Sequence, residues 1–310
     1  MSSQPAPGPS AVSGPAAGDV GVLAVALTAV STSAPLMAAC AAPALAIAFW
    51  RNAMASGLLV PWAWLRYRAE LRTLNRQQWR LSLVAGAFLA AHFATWVPSL
   101  TFTSVASASA LVATQPIWAA AIARLQGAHV PPRAWLGIAV AVGGAAMLTG
   151  VDFSLSGRAL LGDGLALAGG MFAAAYTAAG GAARRSLSTT TYTAICYSTA
   201  ALLLLAACLV GRRSLVGYAP LTWAQLAALM IVAQLLGHSL FNRVLRTTSA
   251  TVVSLALLLH VPVAALLAAV FLGQRPPLTA LPAAALLIGG VGLVVGSGSR
   301  PVARIETLAD

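Results

Sequence analysis

The stretch ALVATQPIWAAAIARL at 110–125 places a polar amide and a helix-breaking proline inside an otherwise apolar run. A second stretch, ALLLHVPVAALLAAVFL at 256–272, has the same character, with His260 and Pro262 in its interior. Proline lacks a backbone donor, so the carbonyl one turn earlier loses its partner. Because lipid cannot satisfy that carbonyl, such a kink is tolerated where protein or a water-filled cavity surrounds it. We therefore predict that Pro116 and Pro262 kink two membrane helices beside an internal pathway.

The composition of the whole chain excludes a water-soluble domain. The 310 residues are 59% hydrophobic and 8% charged, with a mean hydropathy of +0.86, whereas soluble domains carry about 25% charged residues. The 18 basic residues are all Arg and lie at the ends of apolar runs instead of in one patch. That distribution is a membrane-topology signal. The predicted partner is therefore the lipid bilayer and not a nucleic acid, despite the net charge of +12.

Ten runs are apolar and long enough to cross a bilayer, for which about 20 residues are needed. The segments on either side of them, 1–18 and 299–310, are expected to be cytoplasmic tails, and the first is rich in Pro, Ser, Ala and Gly, as disordered segments are. The predicted spans are 20–41, 43–65, 79–99, 103–124, 132–150, 161–181, 190–211, 222–243, 248–272 and 278–297.

The arginines also predict the orientation of these spans. With the N-terminus in the cytoplasm, 13 arginines fall on cytoplasmic segments and 4 on the opposite side, while Arg51 lies within the second span. The excess of positive charge marks the cytoplasmic side. We therefore expect a multi-pass protein of the plasma (inner) membrane with both termini in the cytoplasm. The pair Arg212 and Arg213 lies on the opposite side and conflicts mildly with this assignment.

The chain contains an internal repeat. An offset of 146 residues places Pro116 on Pro262, and aligns glycines and a further proline between 103–150 and 249–296, while an offset of 144 places Gly18–Asp19 on Gly162–Asp163. Aligned Gly and Pro are informative because each meets a specific backbone requirement. Five is an odd number of spans, so the second copy must insert upside down relative to the first. The sequence thus predicts an all-α integral membrane protein of ten transmembrane helices, arranged as two inverted five-helix repeats at 19–150 and 151–298.

Inverted repeats recur in secondary transporters, where the binding site lies near the midplane between the halves. The chain has no G-x-x-x-x-G-K-[ST] nucleotide motif. We therefore expect no cofactor, and energy from a gradient or from the solute itself. The alternative is an intramembrane enzyme that uses His92, His238 or His260. Metal catalysis would need clustered ligands, and the sequence offers neither an H-E-x-x-H motif nor paired carboxylates, so no metal and no catalytic residue is predicted.

Three stretches resemble the EamA-type transporters of the drug/metabolite transporter superfamily. They are AHFATWVPSLTFTSVASASALVATQPIWAA at 91–120, LLGHSLFNRVLRTTSATVVSLALLLHVPVAALLAAVFLGQ at 235–274, and LLGDGLALAGGMFAAAYTAAG at 160–180. The resemblance implies ten helices, cytoplasmic termini, and movement of a small metabolite, amino acid or drug-like solute, often by export. Three positions differ from the family pattern: His260, Ala128 and Gln274 stand where members often carry Glu.

Polar side chains inside the predicted spans are candidates for the solute pathway, since intramembrane ionisable residues usually face the bundle interior. Arg51 could contact an anion, form an ion pair with Asp163, or extend to the membrane surface. Helices three, four, eight and nine, with parts of two, six and seven, are expected to line the cavity. For most of the candidates, interhelical packing is the alternative role. The predicted pathway residues are Arg51, His92, Trp96, Ser107, Thr114, Gln115, Trp118, Tyr176 and His260.

His260 is opposite Thr114 in the repeat, so a polar residue precedes each kink. Such a residue can satisfy the backbone that the proline frees, or meet a solute. His260 differs from Thr114 because an imidazole can change charge near neutral pH, and we expect it to tune transport. Glycine-rich segments of helices five and ten, including Gly292-x3-Gly296, permit close helix packing, either within one copy of the chain or in a homodimer.

Overall fold

The computed structural model describes residues 15–103, 105–149, 156–260, 262–263 and 280–297. Within these ranges the protein is helical and contains no strand, as the sequence predicts. Both predicted tails lie outside the described residues, apart from the short stretch that leads into the first helix.

The first repeat contains eight helical segments, several of which are parts of one predicted span. They are α1 (Ala17–Ser31), α2 (Ser33–Ala39), α3 (Ala44–Arg66), α4 (Arg68–Arg72), α5 (Arg76–Ser99), α6 (Val105–Val112), α7 (Gln115–Leu125) and α8 (Pro132–Thr149).

The second repeat follows the same order. It contains α9 (Gly157–Arg184), α10 (Thr189–Val210), α11 (Pro220–Ala228), a π-helix (Leu229–His238), α12 (Ser239–Val244), α13 (Ala250–Leu258) and α14 (Ala280–Ser297).

Five helical stretches are long and apolar enough to cross a membrane on their own: Ala44–Arg66, Arg76–Ser99, Gly157–Arg184, Thr189–Val210 and Pro220–Val244. Four shorter apolar helices accompany them in the described part of the chain, at Ala17–Ser31, Ala110–Leu125, Pro132–Met147 and Leu281–Ser297. The protein is therefore a multi-pass membrane protein, and the number of ten spans stays a prediction.

The predicted kink in the fourth span is a break between two helices. The α-helical pattern stops after Val112 and resumes at Gln115, so Pro116 lies in the first turn of α7, where a missing N–H has no helical partner to lose. In the second repeat, α13 ends at Leu258, four residues before Pro262. Both prolines therefore lie just beyond the end of a helix.

The first span is interrupted, and the eighth is one helical stretch that changes its helix type. The first span breaks at Thr32, where the backbone N–H donates to the Ala29 carbonyl three residues earlier and tightens the turn. The eighth span widens into the π-helix, which places Gln234 in the protein interior. Pro35 follows the end of α1 by four residues, the spacing at which Pro116 follows α6 and Pro262 follows α13. The sequence therefore carried a signal for the break in the first span, and the prediction of an unbroken first helix was wrong.

The last helix of each repeat packs against its counterpart. A Cβ added to Gly290 of α14 would lie 2.5 Å from Ala141 N and Gly137 O, and one added to Gly144 of α8 would lie 2.7 Å from Leu287 N. Glycine is required at these two contacts because any side chain would collide with backbone. The described residues leave open space beside the other glycines of α14, at 289, 292 and 296. Helices five and ten therefore pack together within one copy, and a homodimer through the remaining glycines stays a prediction.

Two equivalent hydrogen bonds join the repeats. Thr103 Oγ1 donates to Asp163 Oδ1 over 2.7 Å, and Thr247 Oγ1 donates to Asp19 Oδ2 over 2.6 Å. The two aspartates are 144 residues apart, and so are the two threonines. In each bond, an aspartate near the start of one repeat binds a threonine that follows the third helix of the other repeat. We call these bonds the Asp163 clasp and the Asp19 clasp.

Candidate substrate site

A buried arginine lies at the centre of the helix bundle. Arg51 is in the first half of α3, and its side chain is 0% exposed. Its Nε donates to Gln234 Oε1 over 2.8 Å, and its Nη1 lies 3.4 Å from Ser33 Oγ. The guanidinium carbon lies 4.5 Å from the ring centroid of Phe93, so an aromatic face also contacts the cation. Arg51 therefore does not extend to the membrane surface.

The suggested ion pair between Arg51 and Asp163 is wrong. The carboxylate of Asp163 accepts from Thr103 in the Asp163 clasp. Asp19 is in the other clasp, and Glu70 accepts from Ser188 and Thr191 at the start of α10. These three carboxylates are the acidic side chains that the described ranges contain, and each binds hydroxyl groups, so Arg51 has only neutral partners there.

The ring of Phe93, which contacts the guanidinium of Arg51, belongs to a cluster of aromatic rings. Phe93 contacts His92 and His238, at ring-centroid distances of 4.9 and 5.8 Å. His92 stacks on Trp96, with centroids 5.5 Å apart and an interplanar angle of 11°. The Nδ1 of His92 lies 2.9 Å from the Gly169 carbonyl, and a carbonyl can only accept, so Nδ1 carries the proton. In the neutral imidazole the other nitrogen, Nε2, is then a free acceptor.

A second group of polar side chains lies next to His238, and its members hydrogen-bond to one another. The Tyr176 hydroxyl donates to Asn242 Oδ1 over 2.9 Å and lies 2.6 Å from Asn242 Nδ2. Asn242 Nδ2 also donates to the Tyr197 hydroxyl over 3.3 Å, and that hydroxyl lies 3.2 Å from Ser239 Oγ. Each of these side chains has a protein partner, so Tyr176 contributes to an internal hydrogen-bond network.

By contrast, two donors among Arg51 and the side chains around it have no protein partner. We call these side chains the Arg51 group, which comprises Arg51, Ser33, Phe93, Gln234, His92, His238 and Trp96. Arg51 Nη2 and Trp96 Nε1 are buried atoms that make no hydrogen bond. The guanidinium and the indole can only donate. The other three buried side-chain atoms in this state within the described residues are hydroxyls, which rotate and can also accept: Ser82, Tyr192 and Thr248.

Gln115, the polar amide directly ahead of Pro116, joins three helices. Its Nε2 lies 3.2 Å from Thr177 Oγ1 on α9 and 3.0 Å from Ser254 Oγ on α13. Trp118 Nε1 donates to Thr114 Oγ1 over 3.1 Å, within the same helical region. Gln115 is thus a cross-link beside the break, whereas Trp118 is partly exposed. Their predicted roles in the pathway stay predictions.

The residues ahead of the two prolines make equivalent bonds. Thr114 Oγ1 donates to the Leu111 carbonyl over 2.6 Å, and His260 Nδ1 binds the Leu257 carbonyl. These pairs are related by the 146-residue offset. Both side chains therefore satisfy a backbone acceptor three residues earlier, close to the end of a helix. The His260 carbonyl also accepts from Ser31 Oγ over 3.3 Å, which connects the ninth helix to the first.

Two of the positions singled out in the sequence fall wholly or partly outside the described part of the structure. The side chain of Ser107 and the whole of Gln274 lie outside the described residues. Ala128, in place of the common family Glu, follows α7 and donates its N–H to the Ala123 carbonyl over 3.0 Å. Among the described residues, no group of three or more His, Cys, Asp or Glu side chains is placed to hold a metal ion.

Two residues that contact Arg51, Gln234 and Phe93, were not predicted from the sequence. The equivalence of His92 and His238 in the two repeats was not recognised either. His92 and His238 are 146 residues apart, the offset that relates Pro116 to Pro262. That offset was a usable signal for the histidines. Gln234 and Phe93 gave no such signal, because their contacts with Arg51 depend on how α3, α5 and the π-helix pack together.

Comparison with known proteins agrees with this architecture. The EamA-like transporter family matches residues 17–150 and again 160–296. The chain therefore belongs to the EamA-like transporter family, as the resemblance in its sequence indicates, and the family is one of membrane transporters of the drug/metabolite type. The two matched segments are the two repeats.

Solved structures share the fold. A structure titled "Crystal structure of protein" is 18% identical in sequence and aligns with a TM-score of 0.74, covering 91% of this chain and 99% of that chain. Identity this low extends the comparison to the fold alone. No curated protein sequence matches the chain.

Proposed function

We propose that the protein is a secondary transporter that moves a small metabolite, amino acid or drug-like solute across the plasma membrane by alternating access between its two repeats. The direction that we propose is export. The observation that carries this proposal is a group of buried polar side chains between the repeats, with Arg51 at its centre and with donors left unpaired. A membrane protein buries such groups at a cost, and they are typical of solute pathways.

The two clasps suit alternating access. Each clasp connects the two repeats. If both termini are in the cytoplasm, as we propose, the Asp163 clasp lies toward the outside and the Asp19 clasp toward the cytoplasm. Opening either side requires its own clasp to separate, while the other can stay closed. The helix breaks ahead of Pro116 and Pro262 provide places where the fourth and ninth helices can bend without breaking a regular helix.

The decisive experiment uses the purified protein in liposomes. Candidate solutes are first found by testing expression strains for resistance to toxic amino acids, metabolites and drugs. Each hit is then offered to liposomes with and without the protein, and the solute recovered inside is identified by mass spectrometry. We expect protein-dependent entry of an unaltered solute. Conversion of the solute into a new compound would support the enzyme alternative, and no entry of any hit would contradict a transporter.

The proposed orientation, with both termini in the cytoplasm, has a separate test. The segment 66–80 carries five of the arginines and should form a cytoplasmic loop. A cysteine at Arg72, in a variant whose three native cysteines are replaced, should react with an impermeant thiol reagent only after the cells are opened. Labelling in intact cells would show that the protein has the opposite orientation. A cysteine at Ser214, between α10 and α11, is the matched control and should label from outside.

A further inference from the structure

We propose that the Arg51 group binds the carboxylate of the transported solute, which makes this protein a carrier of small organic acids or of other carboxylate-bearing solutes. This inference rests on the proposed transport function. It assigns a chemical class to the solute and assigns binding roles to Arg51 and Trp96.

The charge of Arg51 is the first reason. A guanidinium stays protonated in proteins, and a buried charge without a counter-ion is costly. Within the described ranges the carboxylates of Asp19, Glu70 and Asp163 are engaged elsewhere. An anion that enters with the solute is therefore the missing counter-charge.

The donors of Arg51 are the second reason. Nε and Nη1 face Gln234 and Ser33, while Nη2 has no partner. The guanidinium plane is fixed from one side by the Phe93 ring. An arginine that is held in place and keeps a free N–H edge matches the oxygens of a carboxylate, which it can bind with shorter and stronger bonds than a neutral group.

Trp96 adds an independent donor. Its indole Nε1 is buried and unpaired, although the side chain as a whole is partly exposed. The ring is held by stacking on His92, and His92 is itself held by its bond to Gly169. Two fixed groups that can only donate require a ligand rich in acceptors. A carboxylate offers about four lone-pair sites on two oxygens and no donor, whereas the nitrogen of an amide or an ammonium group carries N–H groups, which cannot accept from these donors.

A second buried arginine shows what a purely structural one looks like in this chain. Arg184 is 3% exposed, and its Nε donates to the Asn242 carbonyl over 2.9 Å. Its Nη1 donates to the Leu187 carbonyl. Arg184 leaves no buried nitrogen without a partner among the described contacts, so the free edge of Arg51 is not a general property of buried arginines here.

The test compares acids with amides of the same shape. Thermal stability of the purified protein is measured with benzoate and benzamide, succinate and succinamide, lactate and lactamide, and indole-3-acetate and indole-3-acetamide. We expect at least one acid to raise the Tm while its amide does not. Arg51→Gln should weaken binding of that acid by about 30-fold or more, the loss typical when one partner of a buried charged pair is removed. Arg51→Lys, which keeps the charge, should retain part of the effect.

Trp96→Phe provides a second variant in case Arg51→Gln does not fold. It removes the unpaired N–H and keeps a smaller aromatic ring beside His92, so we expect weaker acid binding by about fivefold, the value of one lost hydrogen bond. Trp62→Phe is the matched control, since the Trp62 side chain is 56% exposed on the surface of the helix bundle. This variant should bind the acid as the wild type does.

Three results would overturn the proposal: stabilisation by an amide equal to that by its acid, acid binding unchanged in Arg51→Gln, or no effect of any of the four acids. Failure of the transport proposal is distinguishable from these. Acid binding that depends on Arg51 without entry of the acid into liposomes would leave the carboxylate site in place and contradict the transporter. Entry of a neutral or cationic solute at a rate independent of Arg51 would support the transporter and contradict the carboxylate site.

Discussion

The two repeats place polar side chains at equivalent positions but leave them in different chemical states. Arg51, His92 and Trp96 of the first repeat correspond, at an offset of 146 residues, to Tyr197, His238 and Asn242 of the second. In the second repeat, Asn242 hydrogen-bonds to both Tyr197 and Tyr176. In the first, the arginine and the tryptophan each keep an unpaired donor.

The difference shows how a symmetric fold can build an asymmetric site. Inverted repeats supply two similar helix bundles, and the equivalent clasps and kinks preserve that similarity. Two of the three equivalent positions carry different residues, Arg51 against Tyr197 and Trp96 against Asn242. This difference gives the second repeat a network of paired side chains, which contributes to stability, and gives the first repeat unpaired donors, which are suited to a ligand. Each of the following predictions tests this division between the repeats.

The largest effect on stability is expected in the second repeat. Asn242→Ala removes the bonds to Tyr176 and Tyr197 and leaves the buried Tyr176 hydroxyl without its partner, while Tyr197 keeps its bond to Ser239. This loss should cost about 1–4 kcal/mol. Trp96→Phe, at the equivalent position of the first repeat, loses no hydrogen bond and should change stability by less than about 1 kcal/mol. Unfolding in mixed micelles measures both variants. Equal destabilisation by the two substitutions would remove the distinction between the repeats.

A smaller effect is expected where the two repeats are alike. Gly290→Leu forces a side chain against the backbone of α8 and should destabilise the protein by about 1–3 kcal/mol. Gly289→Leu adds the same side chain where nothing lies within 4 Å, so it is the matched control and should be nearly neutral. Size-exclusion chromatography with light scattering on the control also tests the predicted homodimer, because a leucine in a dimer seam would shift the oligomeric state.

The smallest effect is expected at His260. Thr114 and His260 make the same bond to a backbone carbonyl, so they differ mainly in that the imidazole can change charge. If His260 titrates during the transport cycle, the rate in liposomes between about pH 5 and 8 should vary less in His260→Gln than in the wild type. Profiles of the same shape would remove the titrating role, and identical rates at every pH would leave His260 a structural residue.

The architecture was predictable because its signals repeat along the chain. Apolar runs indicated a helical membrane protein, and Pro116 with Pro262 revealed the offset that relates the halves. The partner of Arg51 was not predictable, because contact between α3 and the π-helix depends on interhelical register and on a widened turn around Gln234. The wrong pairing of Arg51 with Asp163 had the same origin, since opposite charge alone says nothing about which helix faces which.

The central claim is that the two repeats open the interior site alternately to the two sides of the membrane. Its most direct test is to crosslink each clasp in turn and to measure access to the site from each side. A cysteine at Trp96 reports access to the site, in a variant without Cys40, Cys196 and Cys208. A crosslink between cysteines at Thr103 and Asp163 should abolish labelling of the reporter from outside and preserve labelling from the cytoplasm. A crosslink between Asp19 and Thr247 should give the opposite result. Labelling from both sides that is unchanged by either crosslink would contradict alternating access.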